Sequence, residues 1–369
     1  MPNDKRNGSV GYGEGVTRRE MFSSAAMAGA AIVLAPVLGS VRPAGAAEAA
    51  GDASRTQRVI TKTIPRTSEA LPAIGLGTYL TFDVIPGHPR DNVREVIRRF
   101  WEGGGRVVDT SPLYGTGEIS VGDFACALGI TGELFITNKI WSTGKYLADD
   151  SHALASLDQS MQRLWRDKID VMQVHSLVNV DQIVPILRGW KQEGLVRYVG
   201  VTHHELPYFG PLADWVERGN LDFVQVHYSI HTRLAEERIL PAAADRGVAV
   251  LVNMPFEKAR LFKVVDGHPL PDFAKEIGAS NWAQFFLKWI ISHPAVTCAI
   301  PATTNPDHES ENIGALKGPL PDKGMRARMV RHMETIPGFD RLADMAPYPG
   351  KTFNGVIRRA QSLRRPAGK

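Results

Sequence analysis

Four side chains of complementary chemistry lie at or near the ends of three short apolar segments. Asp109 and Tyr114 lie five residues apart in VVDTSPLYG, Lys139 follows in FITNKIW, and His175 comes next in VMQVHS. An acid, a phenol, an ammonium and an imidazole can together hold, donate and stabilise protons. In a parallel α/β barrel the carboxyl ends of the strands converge on one mouth. The spacing therefore predicts one catalytic site built from three successive strands.

Each of these residues also has a structural interpretation when it is taken alone. An Asp-Thr pair at a strand end can cap the next helix, a tyrosine can pack in a barrel mouth, and a lysine can pair with any acid. A single histidine is more often structural than catalytic. Their order on consecutive predicted strands, rather than any one residue, indicates a site.

The elements that must position these residues alternate regularly from residue 58 onward. RVITKTI and ALPAIGLG predict a small hairpin that leads into the first barrel strand near Ile74. Further predicted strands are RVVDT, LFITNK, IDVMQVH, VRYVGVT, LDFVQVHYS, VAVLVNMP and VTCAIPA. Amphipathic helical patterns separate them, among them DNVREVIRRFWEGG, ASLDQSMQRLW, DQIVPILRGWKQEG and ERILPAAADRG. Strands that alternate with helices indicate a parallel sheet, and eight repeats predict a closed (β/α)₈ TIM barrel.

We assign one domain to residues 47–350, because no charged linker or low-complexity spacer interrupts the repeats. The connection GHPLPDF is longer than the others and is predicted to lie over the barrel mouth. Residues 318–350 are predicted to add at least one helix, DKGMRARMVRHME, over the bottom or the mouth of the barrel.

The first 46 residues have the pattern of an export signal. Arg18 and Arg19 precede an apolar, Ala-rich run from Ala25 to Gly39, and small residues surround a predicted cleavage near Ala47. Paired arginines before a short apolar run resemble a twin-arginine signal. This predicts export of the folded chain by the twin-arginine machinery, a periplasmic location, and no stable membrane insertion after cleavage. An uncleaved membrane anchor is the alternative.

The charge of the chain is unevenly distributed. Lys and Arg number 43 against 39 Asp and Glu, and five of the basic residues lie within 358–369, where there is no acid. We predict a disordered basic tail over residues 351–369, and no nucleic-acid binding, because no aromatic residues alternate with its charges. Cys126 and Cys298, the only two cysteines, are predicted to be small core residues.

From about Leu71 to Leu316, the order and spacing of these motifs resemble those of the aldo-keto reductases. The resemblance implies an NAD(P)H-dependent oxidoreductase that reduces an aldehyde or ketone to an alcohol by hydride transfer. Tyr114 would be the general acid, and a nearby Lys139 would lower its pKa. Asp109 would hold Lys139 by an ion pair, and His175 would orient the substrate carbonyl.

The same resemblance implies the residues that hold the nicotinamide nucleotide. The matching positions are Gly77 and Thr78 after Gly75 in IGLGTY, Thr202 and His203 in VGVTHH, Gln225 in FVQVHY, and Thr303 and Asn312 in the IPATTNPDHESEN segment.

Two positions depart from the family pattern. Asn253 and Met254 stand where a tyrosine usually stacks on the nicotinamide, so stacking there would be weaker. Ala302 and His308 replace a lysine and an arginine that usually hold the 2′-phosphate, which weakens selectivity for NADP. NADP(H) stays the first choice of cofactor, with NAD(H) as the alternative.

The predicted substrate pocket has an aromatic rim of Tyr79, Trp141 and Tyr228, with Met254 beside it, which favours a hydrophobic carbonyl compound. One alternative function keeps the barrel and the nucleotide but little or no turnover, as in a sensor or assembly subunit. A metal-dependent hydrolase is the other, using some of His175, His203, His204, His227 and His231. It is disfavoured because no H-x-H follows the first strand and no carboxylate ends the eighth, so we predict no metal site.

Overall fold

The computed structural model describes residues 59–85, 87–144, 149–218 and 220–363. These residues belong to one compact unit, Arg55–Lys369. The predicted signal peptide and the last six residues of the predicted tail lie outside the described residues. No helix within the described residues is long and apolar enough to cross a membrane.

A short antiparallel hairpin precedes the barrel and consists of β1 (Thr61–Thr63) and β2 (Ala70–Pro72). Eight parallel strands follow, and they pair in chain order. They are β3 (Leu76–Gly77), β4 (Val107–Asp109), β5 (Phe135–Ile140), β6 (Ile169–Val174), β7 (Val196–His203), β8 (Phe223–His227), β9 (Ala249–Asn253) and β10 (Cys298–Ala299). The predicted TIM barrel is confirmed.

The first and last barrel strands meet at a tight seam. Ile74 forms a parallel bridge with Ala299, and the Gly75 N–H donates to the Ala299 carbonyl over 2.8 Å. A Cβ on Gly75 would lie 2.7 Å from the Val107 carbonyl oxygen, and one on Gly77 would lie 2.8 Å from that of Ile300. The structure therefore explains both glycines by close backbone approach, to the neighbouring β4 at Gly75 and across the seam at Gly77.

Helices cover the outside of the barrel. The helices that follow the barrel strands are α1 (Asp91–Glu102), α2 (Gly117–Ala127), α3 (Ser151–Leu164), α4 (Val180–Glu193), α5 (Phe209–Glu217), α6 (Ile239–Arg246), α7 (Arg260–Val264), α8 (Trp282–Ile291) and α9 (Pro306–Gly314). α10 (Lys323–Glu334) and α11 (Val356–Leu363) come after the last repeat. In α1 the buried residues Val93, Val96, Ile97 and Phe100 recur at helical spacing and face the core.

The core has two layers that alternate along each strand. Inward-facing residues such as Val107, Phe135, Val171, Tyr198 and Phe223 fill the barrel. Outward-facing residues pack beneath the helices, for example Val108, Ile136, Met172, Val199 and Val224. Because successive strand residues point to opposite faces, this alternation decides which side chains reach the mouth.

The C-terminal segment differs from the predicted disordered tail. Within the predicted tail, Val356–Leu363 form α11, whose Ile357 N–H donates to Asp83 Oδ2 over 2.8 Å. The Tyr348 N–H donates to the Lys258 carbonyl over 2.8 Å. Asp83 and Lys258 lie in loops that follow barrel strands, so this segment crosses the mouth. The arginines of the tail do not oppose this packing, because the segment is held by hydrogen bonds from its backbone N–H groups.

Two further expectations need revision. Cys126 is exposed, because it lies in the last turn of α2 on the side away from the barrel, whereas Cys298 is buried as predicted. The GHPLPDF connection packs Phe273 against Phe285 of α8 and His332 of α10. The connection therefore packs its phenylalanine against the rings of two outer helices and not over the mouth.

Candidate active site

Asp109 and Lys139 form a buried ion pair inside the mouth. Asp109 ends β4 and Lys139 lies near the end of β5, so neighbouring strands bring both side chains inward. Lys139 Nζ donates to both Asp109 carboxylate oxygens, over 2.7 and 2.8 Å, and to the Thr110 carbonyl over 2.8 Å. The side chain of Lys139 is only 1% exposed, and that of Asp109 only 5%. Burial lowers the pKa of Lys139, and the ion pair with Asp109 opposes this shift.

Asp109 also connects the ion pair to predicted cofactor residues. Its Oδ1 accepts from Thr137 Oγ1 over 2.6 Å and from Gln225 Nε2 over 2.7 Å. Gln225 Oε1 in turn accepts from Thr202 Oγ1 over 3.1 Å and from Asn253 Nδ2 over 3.5 Å. One hydrogen-bond network therefore runs from the ammonium of Lys139 to the predicted nicotinamide site.

Tyr114 lies beside this pair, between two other rings. Lys139 Nζ is 5.0 Å from the centre of the Tyr114 ring, His175 packs edge-on at 5.9 Å, and Tyr79 at 5.1 Å. Burial, followed by the charge of Asp109, raises the pKa of Tyr114 well above its usual value. The predicted lowering of this pKa by Lys139 is wrong, because burial and the Asp109 carboxylate outweigh the effect of the ammonium. The phenol thus keeps its proton at neutral pH.

His175 completes the group from the end of β6. Its Nδ1 lies 3.2 Å from Ser111 Oγ, a buried hydroxyl that sequence analysis did not single out. Burial and then the charge of Lys139 lower the pKa of His175 to about 3. The imidazole is therefore neutral at physiological pH. The structure brings all four predicted catalytic side chains into one site.

Other predicted residues at the mouth are distributed differently. Tyr79 and Trp141 are 39% and 50% exposed. Trp141 lines a cavity of about 150 Å³ together with Ser111, Leu113, Lys139 and His152. Thr78 Oγ1 donates to the Asp109 carbonyl over 2.9 Å, so it supports the strand end that carries Asp109.

Tyr228 does not belong to the substrate pocket. Its ring packs against Trp289 of α8, and its hydroxyl bonds to Glu236 and, over 2.7 Å, to Arg326. Phe223, the first residue of β8, faces the barrel interior, whereas Val224 and Tyr228 belong to the outer core layer. Tyr228 therefore faces the helices because it has the outward parity of its strand.

His203 has the same outward parity on β7. Its ring stacks on Tyr208 at 4.0 Å, and its Nδ1 accepts from the Glu205 N–H over 3.1 Å. It makes no hydrogen bond with Thr202 or Gln225. The structure thus leaves His203 outside the network that holds the other predicted carboxamide residues.

The predicted adenosine end lies after β10. Thr303 Oγ1 accepts from the Asn305 N–H over 3.0 Å, which shapes the turn into α9. Asn312 is buried near the end of α9, whereas Ala302 and His308 are exposed. Thr303 and His308 thus stand at the beginning of this helix, where its positive dipole end favours anions.

A strained loop after β9 was missed by sequence analysis. Met254, Glu257, Lys258 and Ala259 all have positive φ, between 51 and 66°. Such conformations persist only when surrounding contacts enforce them. Glu257 is 3% exposed, bonds to His227 Nε2 over 2.7 Å and accepts the Ser229 hydroxyl. Burial would raise the pKa of Glu257, but these two bonds lower it, so a buried carboxylate fixes the loop.

Two cations follow in this loop. Lys258 and Arg260 are half-buried, and no carboxylate of the described residues forms an ion pair with either. Arg260 Nε is buried without a hydrogen-bond partner among those residues. Burial, followed by the charge of Arg260, lowers the pKa of Lys258. The arrangement provides positive charge for an anion next to Asn253 and Met254.

A neutral carboxyl group is buried in α9. Glu309 is fully buried, and neither of its oxygens has a hydrogen-bond partner among the described residues. Burial raises the pKa of Glu309 well above its ordinary 4.5, and the nearby Asn312 amide offsets this only in part. Folded protein therefore keeps this proton at a pH where the unfolded chain has lost it.

We expect Glu309→Gln to increase the free energy of unfolding at neutral pH. Since the folded state binds the extra proton, the stability of the wild-type protein falls as pH rises above about 4.5, and removing the carboxyl group removes that loss. The gain is expected to be about 1–3 kcal/mol at pH 7, and absent below pH ~4. Urea unfolding across pH 4–8 measures it, with Glu311→Gln on the same helix as the control. An equal stability difference at every pH would contradict the assignment.

The histidines and acids of the mouth do not form a metal site in the described part of the chain. Within the described ranges, no group of three or more His, Cys, Asp or Glu side chains is placed to hold a metal ion. His175 is the one predicted hydrolase ligand among the four candidate catalytic side chains, and it bonds to Ser111.

A family model and the relatives of this chain point to the same protein family. The aldo/keto reductase family model matches residues 73–329. A methylglyoxal reductase of Escherichia coli O157:H7 is 27% identical over 252 residues, which cover 67% of this chain and 87% of that protein. An NADH-specific methylglyoxal reductase of Escherichia coli K12 is 25% identical over 325 residues, with coverage of 72% and 96%.

Two solved structures share the fold. An aldo/keto reductase from Klebsiella pneumoniae, in complex with NADP and acetate, is 24% identical and superposes with a TM-score of 0.59. The match covers 78% of this chain and 95% of the Klebsiella chain. The holo form of an aldo-keto reductase from Bacillus halodurans is 18% identical with a TM-score of 0.60, covering 74% and 96%.

Proposed function

The chain belongs to the aldo/keto reductase family, and on that premise we propose that it reduces an aldehyde or ketone to an alcohol at the mouth of the barrel. The observation that carries this proposal is the arrangement of Tyr114 and His175 above the buried Lys139–Asp109 pair. A proton-bearing phenol and a neutral imidazole are both able to donate a hydrogen bond to one carbonyl oxygen. Consumption of NADPH by purified protein supplied with small aldehydes and ketones tests the proposal.

The reaction needs a hydride at carbon and a proton at oxygen. When bound, the reduced nicotinamide supplies the hydride. Tyr114 Oη gives its proton to the carbonyl oxygen as negative charge develops there, and His175 holds that oxygen in place. Lys139 lies over the Tyr114 ring at 5.0 Å. Its positive charge stabilises the phenolate that remains after proton transfer.

Asp109 orients Lys139 and does not touch the substrate. Its two oxygens hold the ammonium, and the Thr110 carbonyl accepts a further hydrogen bond. The ammonium therefore has a fixed direction towards Tyr114. Asp109 is thus a positioning residue, and its bond to Gln225 links this position to the cofactor site.

Chemistry of the residues at the mouth fits a nicotinamide nucleotide. Asn253 Oδ1 is buried without a hydrogen-bond partner among the described residues, so it is free to accept from a carboxamide. Thr202 and Gln225 lie on the same network. Lys258 and Arg260, the half-buried cations after β9, suit the diphosphate of a dinucleotide.

We expect Arg260→Gln to raise the dissociation constant of NADPH about tenfold, because a charge-assisted bond to phosphate is lost. Fluorescence titration of NADPH measures this change, together with a weaker dependence of binding on salt. The matched control is Lys263→Gln, which removes an exposed cation paired with Asp266. Equal affinities for both variants and wild type would mean that the diphosphate lies elsewhere.

NADP(H) is the proposed cofactor, with NAD(H) as the alternative. One of the structural relatives was solved with NADP, whereas one curated relative is NADH-specific. In this chain His308 and Thr303 are the groups near the start of α9 that suit a 2′-phosphate. The aromatic and apolar rim of Tyr79, Trp141 and Leu113 favours an apolar substituent on the carbonyl.

Export through the twin-arginine pathway is proposed from residues 1–46 alone. Paired arginines and a short apolar run support it. Since that pathway carries folded proteins, the cofactor would be loaded before export. Cell fractionation of the bacterial host decides the question: protein with lysines in place of Arg18 and Arg19 should stay in the cytoplasm, and periplasmic recovery of that variant would contradict the proposal.

A further inference from the structure

One ring nitrogen of His175 is occupied by Ser111. His175 Nδ1 and Ser111 Oγ lie 3.2 Å apart, which joins the loop after β4 to the end of β6. Ser111 is fully buried. Only the other ring nitrogen, Nε2, is therefore available to a substrate carbonyl.

The hydrogen-bond pattern of the Ser111 hydroxyl determines the direction of this bond. Ser111 Oγ already accepts from the Leu113 N–H over 3.2 Å. Its own proton has one acceptor among the described residues, His175 Nδ1. A buried hydroxyl proton without an acceptor is unfavourable, so the hydroxyl donates to Nδ1.

A neutral imidazole carries its single proton on one nitrogen or the other. If Nδ1 accepts from Ser111, the proton is on Nε2. In the opposite tautomer the Nε2 lone pair would point at the carbonyl oxygen, and the two lone-pair-bearing atoms would repel each other. Because burial and Lys139 keep the imidazole neutral, this choice of tautomer decides whether His175 attracts or repels the substrate.

We propose that Ser111 is a positioning residue that fixes His175 as the Nε2–H tautomer, so that His175 donates a hydrogen bond to the substrate carbonyl. The donation to substrate rests on the proposed reductase function. The tautomer itself rests only on contacts within the protein and is measurable without substrate.

The tautomer is read directly by long-range ¹H–¹⁵N correlation NMR of the full chain labelled with ¹⁵N-histidine. Two other histidines serve as internal references. His203 Nδ1 accepts from the Glu205 N–H over 3.1 Å, and His293 Nδ1 accepts from the Ala295 N–H over 3.2 Å. Both are neutral and have the Nε2–H tautomer, since burial lowers the pKa of each. A His175→Gln variant assigns the His175 signals.

We expect the wild-type His175 signals to match those of His203 and His293. In Ser111→Ala, the His175 pattern should move towards a mixture of both tautomers while the reference signals stay unchanged. The control is Ser120→Ala, another fully buried serine, whose hydroxyl bonds to Arg90. Protonated Nδ1 in wild-type protein, or an unchanged His175 pattern in Ser111→Ala, would overturn the proposal.

Kinetics separate positioning from general support of the loop. Ser111→Ala should lower kcat/KM for carbonyl reduction about 3- to 30-fold, with the dissociation constant of NADPH unchanged. An equal loss of NADPH affinity would indicate a distorted loop and contradict the specific role. If the protein reduces no carbonyl but His175 has the Nε2–H tautomer, only the proposed function fails. If it reduces carbonyls while Nδ1 is protonated, only this inference fails.

Discussion

Tyr114→Phe is expected to lower kcat for carbonyl reduction by about 10²–10⁴-fold, the usual contribution of a general acid. The substitution removes one hydroxyl, while the ring keeps its contacts with Tyr79 and His175. NADPH should therefore bind with unchanged affinity. Steady-state kinetics and a fluorescence titration on the same preparation measure both quantities.

Tyr79→Phe is the matched control, because it removes a second phenol at the same mouth, 5.1 Å from Tyr114 between ring centres. Tyr79 is 39% exposed, whereas the Lys139 ammonium lies 5.0 Å from the centre of the Tyr114 ring. We expect at most a small change in kcat for this variant. Similar losses in both variants would show that Tyr114 is not the proton donor.

Lys139→Met is expected to destabilise the protein by about 3–5 kcal/mol, because it leaves the buried Asp109 charge without its partner. Thr137 and Gln225 would still donate to Asp109, but neither carries charge. Carbonyl reduction should be lost as well, since nothing would then stabilise the Tyr114 phenolate. Chemical denaturation and steady-state kinetics measure the two effects.

The double variant Asp109→Asn with Lys139→Met separates stability from catalysis. Removing both charges should recover much of the lost unfolding free energy, because no unpaired buried charge is left. Activity should stay low, because the ammonium beside Tyr114 is still absent. If the double variant is as unstable as Lys139→Met alone, the ion pair is not the source of the effect.

The fold and the convergence of the four candidate catalytic side chains could be predicted because both follow from periodicity. Strands that alternate with helices predict a barrel, and the ends of its strands must converge. Asp109, Lys139 and His175 also have inward parity, the same as Val107, Phe135 and Val171 on their strands. Thr202, Gln225 and Asn253 have it too, which explains why the structure joins them in one network.

The predictions were wrong where the direction of a side chain, or the residues that contact it, mattered more than its position along the chain. Tyr228 follows directly after a mouth strand, but its outward parity turns it to the helices; counting alternate residues from Phe223 would have shown this. The raised pKa of Tyr114 depends first on its burial and then on the charge of Asp109, and spacing along the sequence reveals neither. Contacts between residues far apart in the chain, such as His227 at the end of β8 with Glu257 in the loop after β9, leave no local pattern in the sequence.

Direct hydride transfer from the bound nicotinamide to a carbonyl carbon, with protonation by Tyr114, is measured most directly with a deuterium label. Purified protein is incubated with NADPH deuterated at the transferable C4 position and with methylglyoxal and apolar aldehydes, and the alcohols are analysed by mass spectrometry. We predict one deuterium on the carbinol carbon with wild-type protein and with Tyr79→Phe, and almost none with Tyr114→Phe. Protein that binds NADPH but transfers no deuterium to any of these carbonyls would contradict carbonyl reduction by this chain and favour a nucleotide-binding sensor.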